Sequence, residues 1–425
     1  MSTASAPVHL DLADARQRDA ANPLRGFRSR FAAPEAELLY LDGNSLGRLP
    51  LAAQRRVAEV VEREWGERLI RSWGEGWFDA SERLGEKVAQ LIGAAPGQVT
   101  FADATSVNLF KLALAALEER SPRRTIVTDA LNFPSDVYVL DGIRRLRPGT
   151  RLQVVPVSDA VSGAEDAVID AIDDETALVV LSEVTFKSGF RYDAARVSEA
   201  ARSRGARILW DLSHSVGSVE VALDDWGADL AIGCGYKYLN GGPGAPAFLY
   251  VREALQDALV SPIQGWFGQR DPFAFELGYE PVQGIRRFVT GTPPVLSLLA
   301  LEPGLDLLLE AGQARVARAG RDLTDYLIAL IDARLVPLGF RLASPRDAAR
   351  RGSHVSVAHP DAYRISRAMS DHGVIPDFRA PDSIRLGVAP LYVGFEDLWR
   401  AVERVAELVE RGAHEAYAHE RAVVT

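Results

Sequence analysis

Cysteine is all but missing from this chain of 425 residues, with Cys234 the only one. A single cysteine leaves no internal disulfide framework and no cysteine-rich zinc or iron–sulfur site, and it fits a reducing compartment. Lysine is nearly as scarce, at Lys87, Lys111, Lys187 and Lys237. Chemistry that needs a side-chain amine nucleophile therefore has four candidates, because arginine stays protonated. Positive charge is in deficit, 48 Lys+Arg against 58 Asp+Glu for a net −10. That balance supplies no basic field for nucleic acid or an anionic membrane surface. No stretch approaches the ~18 consecutive apolar residues of a spanning helix. The start, Met1-Ser2-Thr3-Ala4-Ser5-Ala6-Pro7, lacks a basic region followed by an apolar run. Cytoplasm is the expected location. The histidines, His9, His214, His354, His359, His372, His414 and His419, include no HxxxH pair. No metal site is expected from them. A Walker-type loop is absent, and Gly233-Cys234-Gly235 lacks the third glycine and helix context of a dinucleotide fingerprint.

What is present is ordinary globular material, 47% apolar and 25% charged. The length allows one large α/β domain with a smaller companion. After a turn cluster, Asp42-Gly43-Asn44-Ser45-Leu46-Gly47, helical periodicity runs over 52–68. Strands are predicted at 99–101, 125–128, 152–157, 177–181, 207–211, 229–233 and 247–251, with helices at 106–119, 164–170 and 194–204. Buried β-branched runs separated by helical patterns mean an α/β fold with a mostly parallel sheet. A loop-rich stretch, 261–294, clusters Gly, Pro and aromatics and reads as a binding segment. Helices at 295–311 and 314–335, strands at 354–358 and 384–388 around a helix at 361–371, and a closing helix at 395–411 suggest a second, smaller unit.

Three places carry candidate chemistry. At Tyr236-Lys237-Tyr238-Leu239-Asn240 a strand delivers a lysine between tyrosines, ahead of a Gly-rich turn. A lysine carried into a cleft among aromatics suits Schiff-base chemistry, and a surface lysine after an edge strand is the plainer alternative. At Trp210-Asp211-Leu212-Ser213-His214 an apolar strand ends in an aspartate. Ligands gather at such strand ends, where an Asp serves a metal, a ribose, the protonated ring nitrogen of pyridoxal phosphate, or only a helix N-cap. Thr105-Ser106-Val107-Asn108 stands at a strand-to-helix junction, where hydroxyls and free amides make an anion site or simply cap the helix.

An Asp at a strand end, a lysine after the next strand and an upstream Thr-Ser phosphate cup are together the constellation of a fold-type-I pyridoxal phosphate enzyme. The chain resembles the kynureninase family over nearly its whole length. The resemblance rests on the 42–47 turn, Asn132-Phe133-Pro134-Ser135-Asp136, the Asp211 and Lys237 segments, Gly265-Trp266-Phe267-Gly268, and the 384–392 stretch around Arg385. It implies a fold-type-I transferase-like fold with a seven-stranded sheet, a large domain over 46–300 and a smaller one from 1–45 with 301–425.

It further implies pyridoxal 5'-phosphate held as a Schiff base on Lys237, with Asp211 on the ring nitrogen and Phe133 over the ring. Pro134, Ser135 and Asp136 would lie close by in the same loop. Thr105, Ser106 and Tyr236 would meet the phosphate, Ser182 and His214 would surround the cofactor, and Tyr236 would also relay a proton. Trp266 and Thr292 would reach the phosphate from a partner subunit of a homodimer with shared sites. Arg385 would grip the substrate carboxylate. The implied reaction is hydrolytic cleavage of L-kynurenine, or its 3-hydroxy form, to anthranilate or 3-hydroxyanthranilate and L-alanine, in tryptophan catabolism or NAD biosynthesis. A class-V aminotransferase and a non-catalytic pyridoxal phosphate-binding protein are the alternatives. A desulfurase would need a cysteine on a mobile loop, and Cys234 lies too close to Lys237 in sequence for that. Two features depart from the family or resist assignment. Gly291-Thr292-Pro293 stands where many relatives have Ser-Asn-Pro, and the 65–77 stretch, rich in Trp, is expected to shape the aryl pocket without individual roles.

Overall fold

In the computed structural model, which describes residues 10–33, 35 and 37–419, the apolar runs assemble into one seven-stranded sheet. The Met1 to Pro7 start, His9 and residues 420–425 lie outside the described residues. The strands are β1 (Val99–Phe101), β2 (Thr125–Asp129), β3 (Arg151–Val155), β4 (Thr176–Ser182), β5 (Arg207–Asp211), β6 (Leu230–Cys234) and β7 (Ala247–Val251). Their order across the sheet is β1-β7-β6-β5-β4-β2-β3. Strands β2 to β6 run parallel, and β7 is antiparallel to both its neighbours. Alternation along β4 and β5 sends Val179, Leu181, Ile208 and Trp210 into one apolar cluster and Leu178, Val180 and Leu209 into the other. Both faces of the sheet are therefore buried, which is why β4 reads as an unbroken apolar run. Strand β3 lies at the edge and keeps Arg151 and Gln153 in solvent.

A smaller antiparallel sheet follows, with β8 (Arg341–Leu342), β9 (His354–Ala358), β10 (Asp377–Arg379) and β11 (Ser383–Gly387) in the order β10-β11-β9-β8. Only β9 and β11 show in the sequence pattern, because two- and three-residue strands are too short to display an alternation. Helices Ala362–Asp371 and Phe395–Glu410 pack in this region. The N-terminal segment joins it. Leu39 and Tyr40 pair in parallel with Val374 and Ile375. The Asp19 carboxylate accepts the Phe395 and Glu396 amides at 2.8 and 2.9 Å, capping the last helix.

Three segments differ from the sequence expectation. The helix predicted over 52–68 is α-helical only over Leu51–Glu59 and then widens to a π-helix at Val60–Arg68. The Glu64 carbonyl accepts the Leu69 amide and, at 2.7 Å, the Ser72 hydroxyl, and its carboxylate accepts the Trp77 indole at 2.6 Å, so the end of the wide turn is tied to the segment that follows. Pro134, Ser135 and Asp136 are not loop residues but the first turn of helix Pro134–Leu146, where proline's missing N–H leaves nothing unpaired. Helix Ala80–Leu91, unpredicted, buries Leu84, Val88 and Leu91.

Candidate active site

The carboxyl ends of the parallel strands make one rim. Ser182 ends β4 and Asp211 ends β5, paired in register, and Lys237 follows the end of β6. Two helices start at the same rim, Thr105–Glu119 and Pro134–Leu146, and the hydroxyls of Ser106 and Ser135 stand 3.1 Å apart between them. Free amides at two tied helix starts form an anion-binding place. Asn132, to which no role is given on sequence grounds, organises the rim. Its side-chain carbonyl accepts from the Ser182 hydroxyl at 2.6 Å, the Ser182 amide at 3.1 Å and the Phe133 amide at 2.9 Å. Its only outward signal is an amide residue just past a buried strand end.

Of the four lysines, Lys87 is engaged with Glu302 and Asp306, Lys187 donates to the Ala380 carbonyl and Lys111 is wholly buried in an ion pair with Asp103. Lys237 alone stands at the strand rim. Its Nζ lies 3.4 Å from His214 Nε2 and 5.8 Å from the ring centroids of both Phe133 and Tyr236. Burial and the neighbouring Lys237 charge hold His214 well below the usual imidazole range, so it is neutral. Asp211 accepts the Ser213 amide at 2.8 Å. Asp136 faces Asp211, and burial together with that second negative charge pushes its carboxyl well above the usual range, with Lys237 opposing. Asp136 Oδ2 is buried without a hydrogen-bond partner. Burial also raises the Tyr236 phenol, helped by Cys234 and Asp211. Cys234 itself is buried at the end of β6.

Arg385, on β11, is buried close to this group. Its guanidinium donates to the Phe186 carbonyl at 2.6 Å, to Ser45 at 3.0 Å and to Asp377, its cross-strand neighbour, while Nε has no partner. Desolvation lowers it to about 10. The N-terminal turn wedges between the two halves. Gly47 donates its amide to the Tyr236 carbonyl at 2.8 Å, and Gly387 donates to Leu41 at 2.7 Å.

Trp266 and Thr292 are not drawn into this cluster by their own chain. Trp266 touches Phe267 and Phe273, and Thr292 is exposed. The rings around Trp266 form a chain of large apolar side chains in solvent, Trp266 at 42% exposure, Phe273 at 62% and Phe275 at 79%. Trp65 and Trp77 line a cavity of about 470 Å³ with Pro293 and Leu296. Among the described residues no three His, Cys, Asp or Glu converge as a metal-holding group, and no helix is long and apolar enough to cross a membrane.

Comparison with known proteins adds four likenesses. Residues 316–405 match the family model described as kynureninase C-terminal domain. The kynureninase of Pseudomonas fluorescens is 45% identical over 399 residues, 92% of this chain and 94% of that protein. That of Burkholderia pseudomallei is 42% identical over 404 residues, 94% and 95% of the two chains. Among solved structures, a cysteine desulfurase of Thermococcus onnurineus superposes with a TM-score of 0.77 at 21% identity, covering 97% of this chain and all of that one, a likeness of fold.

Proposed function

The chain belongs to the kynureninase family, and on that premise we propose that Lys237, Asp211 and Arg385 are the working residues of a pyridoxal phosphate-dependent hydrolase. The enzyme cleaves L-kynurenine between Cβ and Cγ, giving anthranilate and L-alanine. Water supplies the oxygen that ends in the anthranilate carboxylate, and a proton ends on Cβ of alanine.

The residues present fit the cofactor. Lys237 is an amine at the rim, and the buried carboxyl pair Asp211 and Asp136 offers the negative charge that a protonated ring nitrogen needs. Ser106, Ser135 and the first amides of two helices suit a phosphate. When bound, pyridoxal phosphate supplies the electron sink for the pair left on Cα and then on Cβ.

The chain's own residues do the rest. Lys237 would hold the cofactor covalently, and its amine, once free, would take the Cα proton. Asp211 would hold the ring nitrogen in its charged form, with Asp136 beside Asp211. Neutral His214 gives Lys237 a neighbour that adds no competing charge. Phe133 covers the ring, Ser182 is fixed by Asn132, and Tyr236, held protonated, donates a proton or a phosphate hydrogen bond. Arg385 takes the substrate carboxylate, its unpartnered Nε–H being the donor left over. Thr105 and Ser106 meet the phosphate of their own site, and Trp266 and Thr292 meet that of a partner in a homodimer. The exposed aromatic patch around Trp266 supports such an interface.

A division into 46–300 and a second domain of 1–45 with 301–425 is supported by the pairing of Leu39 and Tyr40 with Val374 and Ile375. The proposed setting is cytoplasmic tryptophan breakdown, with NAD biosynthesis downstream. The observation that carries the reading is Lys237 beside Asp211, Asp136 and neutral His214. Purified holoprotein should release anthranilate and alanine from L-kynurenine and Lys237→Ala should release neither, with 3-hydroxykynurenine run in parallel. Cofactor bound through Lys237 with neither substrate cleaved would sink it.

A further inference from the structure

Lys111 is a fully buried amine that the chemistry above does not use. It projects from helix Thr105–Glu119, the helix whose first turn carries Thr105 and Ser106. Its Nζ donates to Asp103 Oδ2 at 2.6 Å and to the Phe288 carbonyl at 2.7 Å. Asp103 lies between β1 and that helix with φ 48°, and its Oδ2 also accepts the Thr290 hydroxyl at 3.3 Å. Thr290 is packed in turn against Gly265, where a Cβ would stand 1.7 Å from the Thr290 carbonyl. One ion pair, its lysine fully buried, thus ties the start of the Thr105 helix to the backbone that leads into Thr292 and to the turn that leads into Trp266.

The pair is not a simple source of stability, because desolvating the fully buried ammonium offsets much of its attraction to Asp103, whose side chain stays 29% exposed. What the pair adds is register, because an amine with two fixed acceptors holds the Phe288–Thr290 backbone at one place on the helix.

We propose that Lys111, through Asp103 and Thr290, is a positioning residue for the cofactor phosphate, fixing on its own Thr105 helix the segment that carries Thr292 and Trp266 to the phosphate of the partner. The proposal rests on the reading that Thr292 and Trp266 serve phosphate. Its effect should fall on the phosphate alone, so pyridoxal is the control ligand for pyridoxal 5'-phosphate.

The test is titration of cofactor-free protein with each ligand, for wild type, Lys111→Met/Asp103→Asn and Thr290→Val. The double variant removes both charges together, and Asn tolerates the left-handed backbone at 103. It should bind pyridoxal phosphate at least tenfold more weakly while pyridoxal affinity and cofactor-free thermal unfolding stay near wild type. Thr290→Val, which loses one hydrogen bond and keeps its shape, should lower the preference for the phosphorylated ligand roughly threefold to tenfold. It carries the test should the double variant not fold. Equal loss for both ligands would make Lys111 merely structural, and no loss for either would also overturn the proposal. Thr292→Ala separates the premise. If it leaves the ligand preference unchanged, the phosphate reading of the loop fails; if it lowers the preference while the Lys111 and Thr290 variants do not, only the positioning role fails.

Discussion

A histidine sealed beside a lysine amine has little choice of charge. His214 is buried, its ring is 5.7 Å from that of His354, and both are held well below the usual imidazole range, chiefly by desolvation. The unfolded chain protonates these rings below about pH 6.5, and the fold does not until lower pH. A depressed imidazole pKa therefore leaves stability whole above about pH 6.5 and subtracts from it as pH falls toward the folded value. Cofactor-free His214→Asn protein should lose unfolding free energy less steeply than wild type between about pH 6.5 and 5, by chemical denaturation. Parallel slopes would mean that His214 takes up its proton while folded. Asn132 makes a second prediction at this scale. Its side-chain carbonyl collects three donors at the rim. Asn132→Ala should lower stability by about 2 kcal/mol, the cost of orphaning buried donors, and loosen Ser182 and Phe133. Unchanged stability and cofactor affinity would remove its organising role.

Among the elements, the 42–47 turn shows how a short loop sets a catalytic one. A Cβ on Gly47 would stand 2.3 Å from the Lys237 carbonyl, 2.5 Å from Asn240 Oδ1 and 2.8 Å from Asn240 Cα. Backbone has to give way there, and the backbone is that of the residue whose amine does the work. Gly47→Ala should cost about 1–3 kcal/mol of stability and weaken cofactor binding, and an absorbance titration with wild-type affinity would show that the turn does not set the lysine loop. The turn was legible as a turn from its Gly and Asn. Its contact with Lys237 was not, because the two segments are far apart in sequence and meet only when the chain closes. Helix Pro134–Leu146 is the complementary case, masked by a motif that reads as a loop although proline at the first helical position is a start signal.

Across the whole molecule, each active site is proposed to need two chains. In a single chain Thr292 is exposed, and Trp266, Phe273 and Phe275 are also left in solvent. Mixing Lys237→Ala with Thr292→Ala chains, each inactive alone, should restore about a quarter of wild-type activity, since half of random pairs are mixed and one site in each is intact. No recovery, with mixed pairs verified by tag, would count against shared sites.

The residues themselves determined the periodicities, and with them the parallel sheet, the strand-end Asp211, the short list of four lysines and the absence of a cysteine suited to sulfur transfer. Those are local properties, written in spacing of two or of three and four residues and in residue chemistry. Only the folded chain decided that Asp136 opposes Asp211, that Asn132 gathers the rim, that Asp377 holds Arg385 and that Lys111 ties a helix to a distant loop. All but the Asp377–Arg385 pair, which cross-strand register supplies, join segments remote in sequence, and what places those together is the burial of two apolar faces of one sheet, a constraint that no single stretch of residues contains.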